Sequence, residues 1–215
     1  MSNDVKANKP YWDKFYAKMD LSVPSQFCVM VATEIPQGSC VLEFGCGNGR
    51  DSLYLASQRH KVCATDLPAA AVKKCQTRAE ELGFKDMYFS QGDLSNLPQL
   101  KTLFEKGREL SSNDSIIGYS RFVMHSMNDE QEDVFLENLG MLMRAGETMY
   151  FEFRSKEDAN LEKTFGNHYR RFVDTDVFIE KMRDDFDLKY QLTGQGMAKY
   201  KAEDPFVSRL IFEKS

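Results

Sequence analysis

Two groups of side chains in this 215-residue sequence have types and spacings suited to chemistry. The first is a glycine run, Gly45, Gly47 and Gly49, preceded by Glu43 and followed by acids at Asp66 and Asp93. Glycines let a backbone approach a ligand closely, and the helix expected from Asp51 onward aims its unpaired N–H groups at the same place. Asp66 ends an apolar run; outside the carboxyl end of a strand, a carboxylate can accept both hydroxyls of a ribose. The second group is cationic: Arg121, His125, Arg154, His168, Arg170 and Arg171, all in segments expected at the same rim. Arginine forks hold phosphate or carboxylate through two parallel hydrogen bonds, which favours an anionic partner. His125 is suited to general-base work, and one helical turn after Arg121 it shares a face with it if that segment is helical. Blander readings stand beside these. They are a plain crossover turn for the glycines, a cap for the next helix at Asp66, ion pairs to Glu152, Glu157 or Asp174 for the arginines, and a satisfied buried imidazole for His125.

The elements that must position these groups read as strands alternating with helices. Strands are expected at 41–44, 61–66, 87–91, 115–119 and 147–154, and helices from residue 51, at 69–82 and at 129–143. A helix with loose ends is expected at 97–110, and Gly83 and Gly146 punctuate helix ends. Five strands separated by helices imply right-handed crossovers and a doubly wound α/β sheet. The segment 155–171 is polar and reads as an insertion over the strand ends, an acceptor-side element reaching to 174. A helix capped at Asp174-Thr175 follows, and strands at 187–192 and 206–214 have no room for a helix between them, so a hairpin is expected. Before the first strand, Tyr11, Trp12, Phe15, Tyr16 and Met19 lie on an amphipathic helix after Pro10, and a second helix is expected at 26–34. Residues 1–37 thus read as helices that pack on the domain or lid its ligand. One domain over 1–215 is the expected organisation.

Composition bounds the partners. The net charge of -5 comes from 28 basic and 33 acidic residues without a block of either sign, so nucleic acid is not the default partner. The N-terminus lacks the apolar core of a signal peptide, and no run approaches the roughly 20 apolar residues of a membrane span; a cytoplasmic protein is expected. Five cysteines without a CxxC pair support neither a zinc site nor a disulfide framework, and Cys46 reads as a small side chain under a ligand. No metal site is expected. A dinucleotide fold would want G-x-G-x-x-G. The third glycine is missing, and Glu43 would repel a pyrophosphate.

Taken in order, Glu43-Phe44-Gly45-Cys46-Gly47-Asn48-Gly49, the strand-end Asp66, Gly92-Asp93-Leu94, the segment ending at His125 and the terminal hairpin resemble class I S-adenosylmethionine-dependent methyltransferases. The resemblance runs over nearly the whole chain. It implies a doubly wound, seven-stranded, mostly parallel sheet with a reversed final strand, and S-adenosyl-L-methionine as cofactor with S-adenosyl-L-homocysteine as product. It puts the glycine turn under the methionine part, Asp66 on the ribose and Asp93 near the adenine amino group. The implied cofactor surface comprises Trp12, Tyr16, Glu43, Phe44, Gly45, Cys46, Gly47, Gly49, Asp51, Asp66, Leu67, Gly92, Asp93, Leu94 and Ser120, with Arg121, His125, His168, Arg170 and Arg171 on the acceptor side. The N/D-P-P-Y/F segment of many methyltransferases acting on amide or base nitrogens is absent; Tyr119-Ser120-Arg121-Phe122 stands in its place. That segment, His168-Tyr169-Arg170-Arg171-Phe172 and Glu203-Asp204-Pro205 are similar to methyltransferases of bacterial polysaccharide and glycan assembly. A small or glycan-linked acceptor bearing phosphate, carboxylate or hydroxyl is the expectation, with oligomeric state open. The alternative is a non-catalytic, cofactor-binding regulatory or scaffold subunit of the same fold.

Overall fold

The computed structural model describes residues 23–161, 170–200 and 202–215. Alternating apolar runs in the sequence become seven strands: β1 (Cys40–Phe44), β2 (Lys61–Asp66), β3 (Met87–Gln91), β4 (Ile116–Arg121), β5 (Thr148–Arg154), β6 (Phe186–Gly194) and β7 (Val207–Lys214). They form one sheet in the order β3-β2-β1-β4-β5-β7-β6. β1 to β5 pair in parallel, and β7 runs antiparallel between β5 and β6. All five residues of β1 are buried, as expected of a parallel strand covered on both faces.

Successive side chains point to opposite faces, so each central strand feeds two cores. Leu42, Phe44, Phe151, Phe153, Leu210 and Phe212 pack against α4 (Leu97–Leu110), α5 (Asp129–Leu142) and α6 (Thr175–Met182). Val41, Val62, Ala64, Tyr119 and Tyr150 pack on the other face against α1 (Gln26–Glu34), α2 (Arg50–Ser57) and α3 (Ala69–Glu81). The strand order reverses between β1 and β4, where Phe44 sits beside Ser120. A crevice opens outside the carboxyl ends of strands at such a reversal.

The expected elements are present, with three differences. β4 runs on to Arg121, so Ser120 and Arg121 are strand residues. The helix at 97–110 has no loose ends: Asn96 accepts from the Gln99 N–H, and Leu100, Leu103, Phe104 and Gly107 are buried. Asp66 is not the cap of α3, which begins after Pro68 without a side-chain cap. The expected helix after Pro10, with Trp12 and Tyr16, lies outside the described residues, as does His168. Among the described residues no helix is long and apolar enough to cross a membrane. All five cysteines are free and buried, and no three His, Cys, Asp or Glu of the described residues gather to hold a metal ion.

At the amino ends of β4 and β5, buried Glu147 accepts from Arg108 Nη1 (2.7 Å) and Nη2 (3.1 Å), from the Ile116 N–H (3.0 Å) and from the Arg144 N–H (2.8 Å). Removing one partner of a buried pair strands the other's charge, so Glu147→Ala is expected to cost about 3 kcal/mol in urea unfolding. A loss under about 1 kcal/mol would mean the pair is solvated and does not tie these elements together.

Candidate active site

The turn from β1 to α2 is built on glycines that no other residue could replace without strain. Gly45, Gly47 and Gly49 have φ of 85°, 56° and 76°, left-handed values that side chains resist. A Cβ at Gly45 would overlap Val123, and one at Gly49 would stand 2.8 Å from Cys75 Sγ. The Thr65 carbonyl accepts from the Gly45 N–H (2.8 Å) and the Cys46 N–H (3.1 Å). Cys46 and Phe44 are buried beneath.

The acids take different places. Asp66 is half-buried at the end of β2; its Oδ2 accepts from the Gly47 N–H (2.6 Å) and its Oδ1 from the Leu67 N–H (2.8 Å). Burial raises it to about 6, against the pull of those two N–H groups. Leu67 is exposed, and Leu94 is buried. Asp93 Oδ1 accepts from the Ser95 N–H (2.9 Å) and hydroxyl (2.7 Å), a local turn beside Gly92. Glu43 is buried in β1, accepts from Ser52 Oγ, and is pushed up to about 8 by burial and by neighbouring Asp51.

Asp51, the second residue of α2, has both carboxylate oxygens engaged. They accept from the Ser25 N–H (2.8 Å), the Ser25 hydroxyl (2.8 Å) and the Tyr119 hydroxyl (2.9 Å). Ser25 is also the N-cap of α1, accepting from the Cys28 N–H. One carboxylate thus ties α1, α2 and β4 together. Ser120, next along β4, is buried, and its hydroxyl has no hydrogen-bond partner among the described residues.

The cationic rim is more committed than its sequence shows. Arg121 Nε donates to Glu152 Oε1 (2.8 Å), and Glu152 Oε2 accepts from Arg209 Nε (2.7 Å). Arg154 is buried between Asp158 (2.7 Å) and Glu203. Arg171 pairs with Asp129 and Glu132, donates to the Met124 carbonyl (3.2 Å), and its N–H donates to the His125 carbonyl (2.8 Å). Arg170 is half-buried beside it. His125 lies in a 3-10 turn, Met124–Ser126, so it does not share a helical face with Arg121. Phe122 links them. Its ring lies 4.0 Å below the Arg121 guanidinium carbon, 5.5 Å from that of Arg154 and edge-on to His125 at 5.3 Å.

Glu152 entered the sequence reading only as an ion-pair partner, and Ser25, Ser52 and Arg209 were missed. A signal was there for two of them. Glu152 and Arg209 are opposite charges inside the apolar strand runs 148–154 and 207–214, and in the sheet they are register partners.

Residues 41–146 match the family model described as a methyltransferase domain. No curated protein matches the chain. Among solved structures it is similar to a SAM-dependent methyltransferase from Anabaena variabilis, at 18% identity over 98% of this chain and 95% of that one, TM-score 0.73. It is similar to an N-methyltransferase from Bradyrhizobium japonicum in complex with S-adenosyl-L-homocysteine, at 13% identity over 96% and 98%, TM-score 0.68. A third likeness is to phosphoethanolamine N-methyltransferase 1 of Haemonchus contortus, in complex with phosphoethanolamine and S-adenosylhomocysteine, at 15% identity over 100% of this chain and 50% of that one, TM-score 0.73. At these identities the likeness is one of fold.

Two expectations follow from the geometry. A carboxyl raised in the folded state holds a proton that the unfolded chain has released, so rising pH favours unfolding across the window from 4.5 to about 8 set by Glu43. Glu43→Gln should therefore be more stable than the unliganded wild type by on the order of 3 kcal/mol above about pH 8.5, and equal to it within about 1 kcal/mol near pH 5. Denaturant titrations at both pH values check this; the same difference at both would contradict it. Arg171→Ala should lower stability by about 2 kcal/mol, since Glu132 is buried and, among the described residues, keeps only Lys181 as a close cation. A change within about 0.5 kcal/mol would show that Arg171 does not fasten this segment.

Proposed function

We propose that this S-adenosylmethionine-dependent methyltransferase places its methyl group on an oxygen of a small or glycan-linked acceptor that carries a phosphate or carboxylate. The residues present fit the methyl donor. The three left-handed glycines leave a cradle without side chains, and Asp66 stands at the next strand end with a carboxylate able to take two hydroxyls. Bound there, the donor supplies an activated methyl group, and attack by an acceptor oxygen breaks the carbon–sulfur bond and leaves a neutral thioether. The chain's own part is to align the acceptor, exclude water and place charge.

The observation that carries the acceptor reading is Arg121, a guanidinium at the end of β4 beside the turn that holds His125. A cationic amine would be repelled there by Arg121, whereas an ionised phosphate or carboxylate is attracted and needs no base. For a hydroxyl acceptor, His125 is the proton acceptor within the same turn. The phosphate borne by the ligand of the Haemonchus contortus neighbour is in keeping with an anionic group in this fold. The likeness of Tyr119-Ser120-Arg121-Phe122 and Glu203-Asp204-Pro205 to glycan-assembly methyltransferases supports a glycan-linked acceptor. Arg171 acts through the backbone of His125, holding the segment after 169 against that turn.

Calorimetric titration with S-adenosylhomocysteine tests the donor side. Binding near pH 7.5 should weaken at least about tenfold in Asp66→Ala, and in the wild type should weaken as pH falls through about 6, because a protonated Asp66 accepts fewer hydroxyls. No binding by the wild type near pH 7.5 overturns the reading.

A further inference from the structure

Resting on that methyltransferase reading, we propose that the two terminal nitrogens of Arg121 are the fork that binds the acceptor's phosphate or carboxylate, and that Glu152 and Arg209 are positioning residues that aim it. The arginines around the rim differ in what is left of their donors. Arg154 spends one terminal nitrogen on Asp158 and the other on Glu203. Arg171 spends both on Asp129, Glu132 and the Met124 carbonyl. Arg209 spends Nε on Glu152 and Nη2 on the Met197 carbonyl (2.7 Å), with Nη1 3.7 Å from Met30 Sδ, and Arg170 is engaged as well. Arg121 uses only Nε, on Glu152, and meets no other polar partner among the described residues.

Its orientation is fixed from two sides. Glu152 takes Nε from behind, and the other Glu152 oxygen is held by Arg209, which the Met197 carbonyl holds in turn. Phe122 supports the guanidinium face at 4.0 Å. Phe122 has φ of 59°, a left-handed value for a bulky side chain, and its N–H is fastened to the Glu152 carbonyl (2.8 Å). Such strain persists only where the surroundings over-determine it, and it gathers at ligand clamps. A fork whose Nε is anchored and whose face is covered presents its remaining edge in one direction.

The local charge also calls for an anion. Arg121 and Arg209 of the sheet face Glu152, Arg50 at the start of α2 faces Asp51, and burial pushes Glu43 up to about 8, toward its neutral form. The Asp51 oxygens are already taken by Ser25 and Tyr119. Arg121 and Arg209 share the one carboxylate of Glu152, and the Arg121 side chain is only 14% exposed, where incompletely balanced charge is costly. The fork is assigned to the acceptor because Phe122 joins it to His125 and Arg154 on the β4 and β5 side. Val123, next in the chain, lies against Gly45, so the donor's own carboxylate is the competing ligand that the titrations below distinguish.

Inorganic phosphate and acetate are the probes, titrated calorimetrically into protein saturated with S-adenosylhomocysteine. The wild type should bind at least one of them; Arg121→Met should weaken it at least about tenfold, Arg121→Lys less, and Arg209→Met about threefold or more. Affinity for S-adenosylhomocysteine should stay within about threefold in all three variants, which also shows that the variants are folded. The proposal fails if the saturated wild type binds neither anion or if Arg121→Met binds as the wild type does. It fails too if Arg121→Met and Arg121→Lys lose S-adenosylhomocysteine along with the anion, which would put the fork on the donor's carboxylate. Loss of S-adenosylhomocysteine binding by the wild type would fall on the methyltransferase reading instead, and the anion titrations of the unliganded protein would still decide the fork.

Discussion

The buried carboxylate of Asp51 is the interaction on which the rest of the site depends. It starts α2 just past the glycine turn, caps the chain entering α1 through Ser25, and holds the phenol of Tyr119 on β4. A carboxylate this buried persists only if its lone pairs are used, and three donors on two residues, Ser25 before α1 and Tyr119 on β4, use them. The glycine-turn side and the β4 side of the crevice are thereby fixed to one group. Phe27 stacks on Tyr119 at 5.2 Å and carries Arg209 over its ring at 5.4 Å, so the fastening continues into β7.

Charge is organised along the carboxyl ends of the strands in two neighbouring sets. Glu152 stands between Arg121 and Arg209, and Arg154 stands between Asp158 and Glu203. The first set has an excess of positive charge, the second of negative, and Phe122 lies between Arg121 and Arg154. Buried pairs add little net stability but are costly to break. Their value here is orientation: each fixes a long side chain that would otherwise lose considerable entropy on meeting a ligand. Glu203 comes from the connection between β6 and β7, so the last hairpin takes part in the rim, beyond completing the sheet.

The fold was legible because its determinants are local. Apolar runs bounded by Gly, Pro, Asn and Asp gave the strands and helices, and Gly45, Gly47 and Gly49 announced a turn that needs positive φ. The reversed final strand followed from the short distance between two strand patterns. The end of β4 was read too short because Ser120 and Arg121 are polar, whereas their backbone continues the ladder to Phe151 and Glu152. What the arginines do was not legible. Whether a guanidinium holds a ligand or a carboxylate depends on partners far away in sequence, as with Arg154 and Glu203 or Arg171 and Asp129. Asp51 likewise read as part of the ligand surface because nothing in its neighbourhood in the chain reveals Ser25 and Tyr119.

The central claim, methyl transfer to an oxygen of an acceptor that carries a phosphate or carboxylate, is tested most directly by incubating the protein with methyl-labelled S-adenosylmethionine and fractionated anionic metabolites and glycans. The account predicts label on oxygen of an anionic compound, as a phosphate or carboxylate methyl ester or as the methyl ether of its hydroxyl, the carboxylate ester alone being released as methanol by mild alkali. Label on nitrogen would contradict it, and so would a protein that binds the donor yet transfers no label to any fraction.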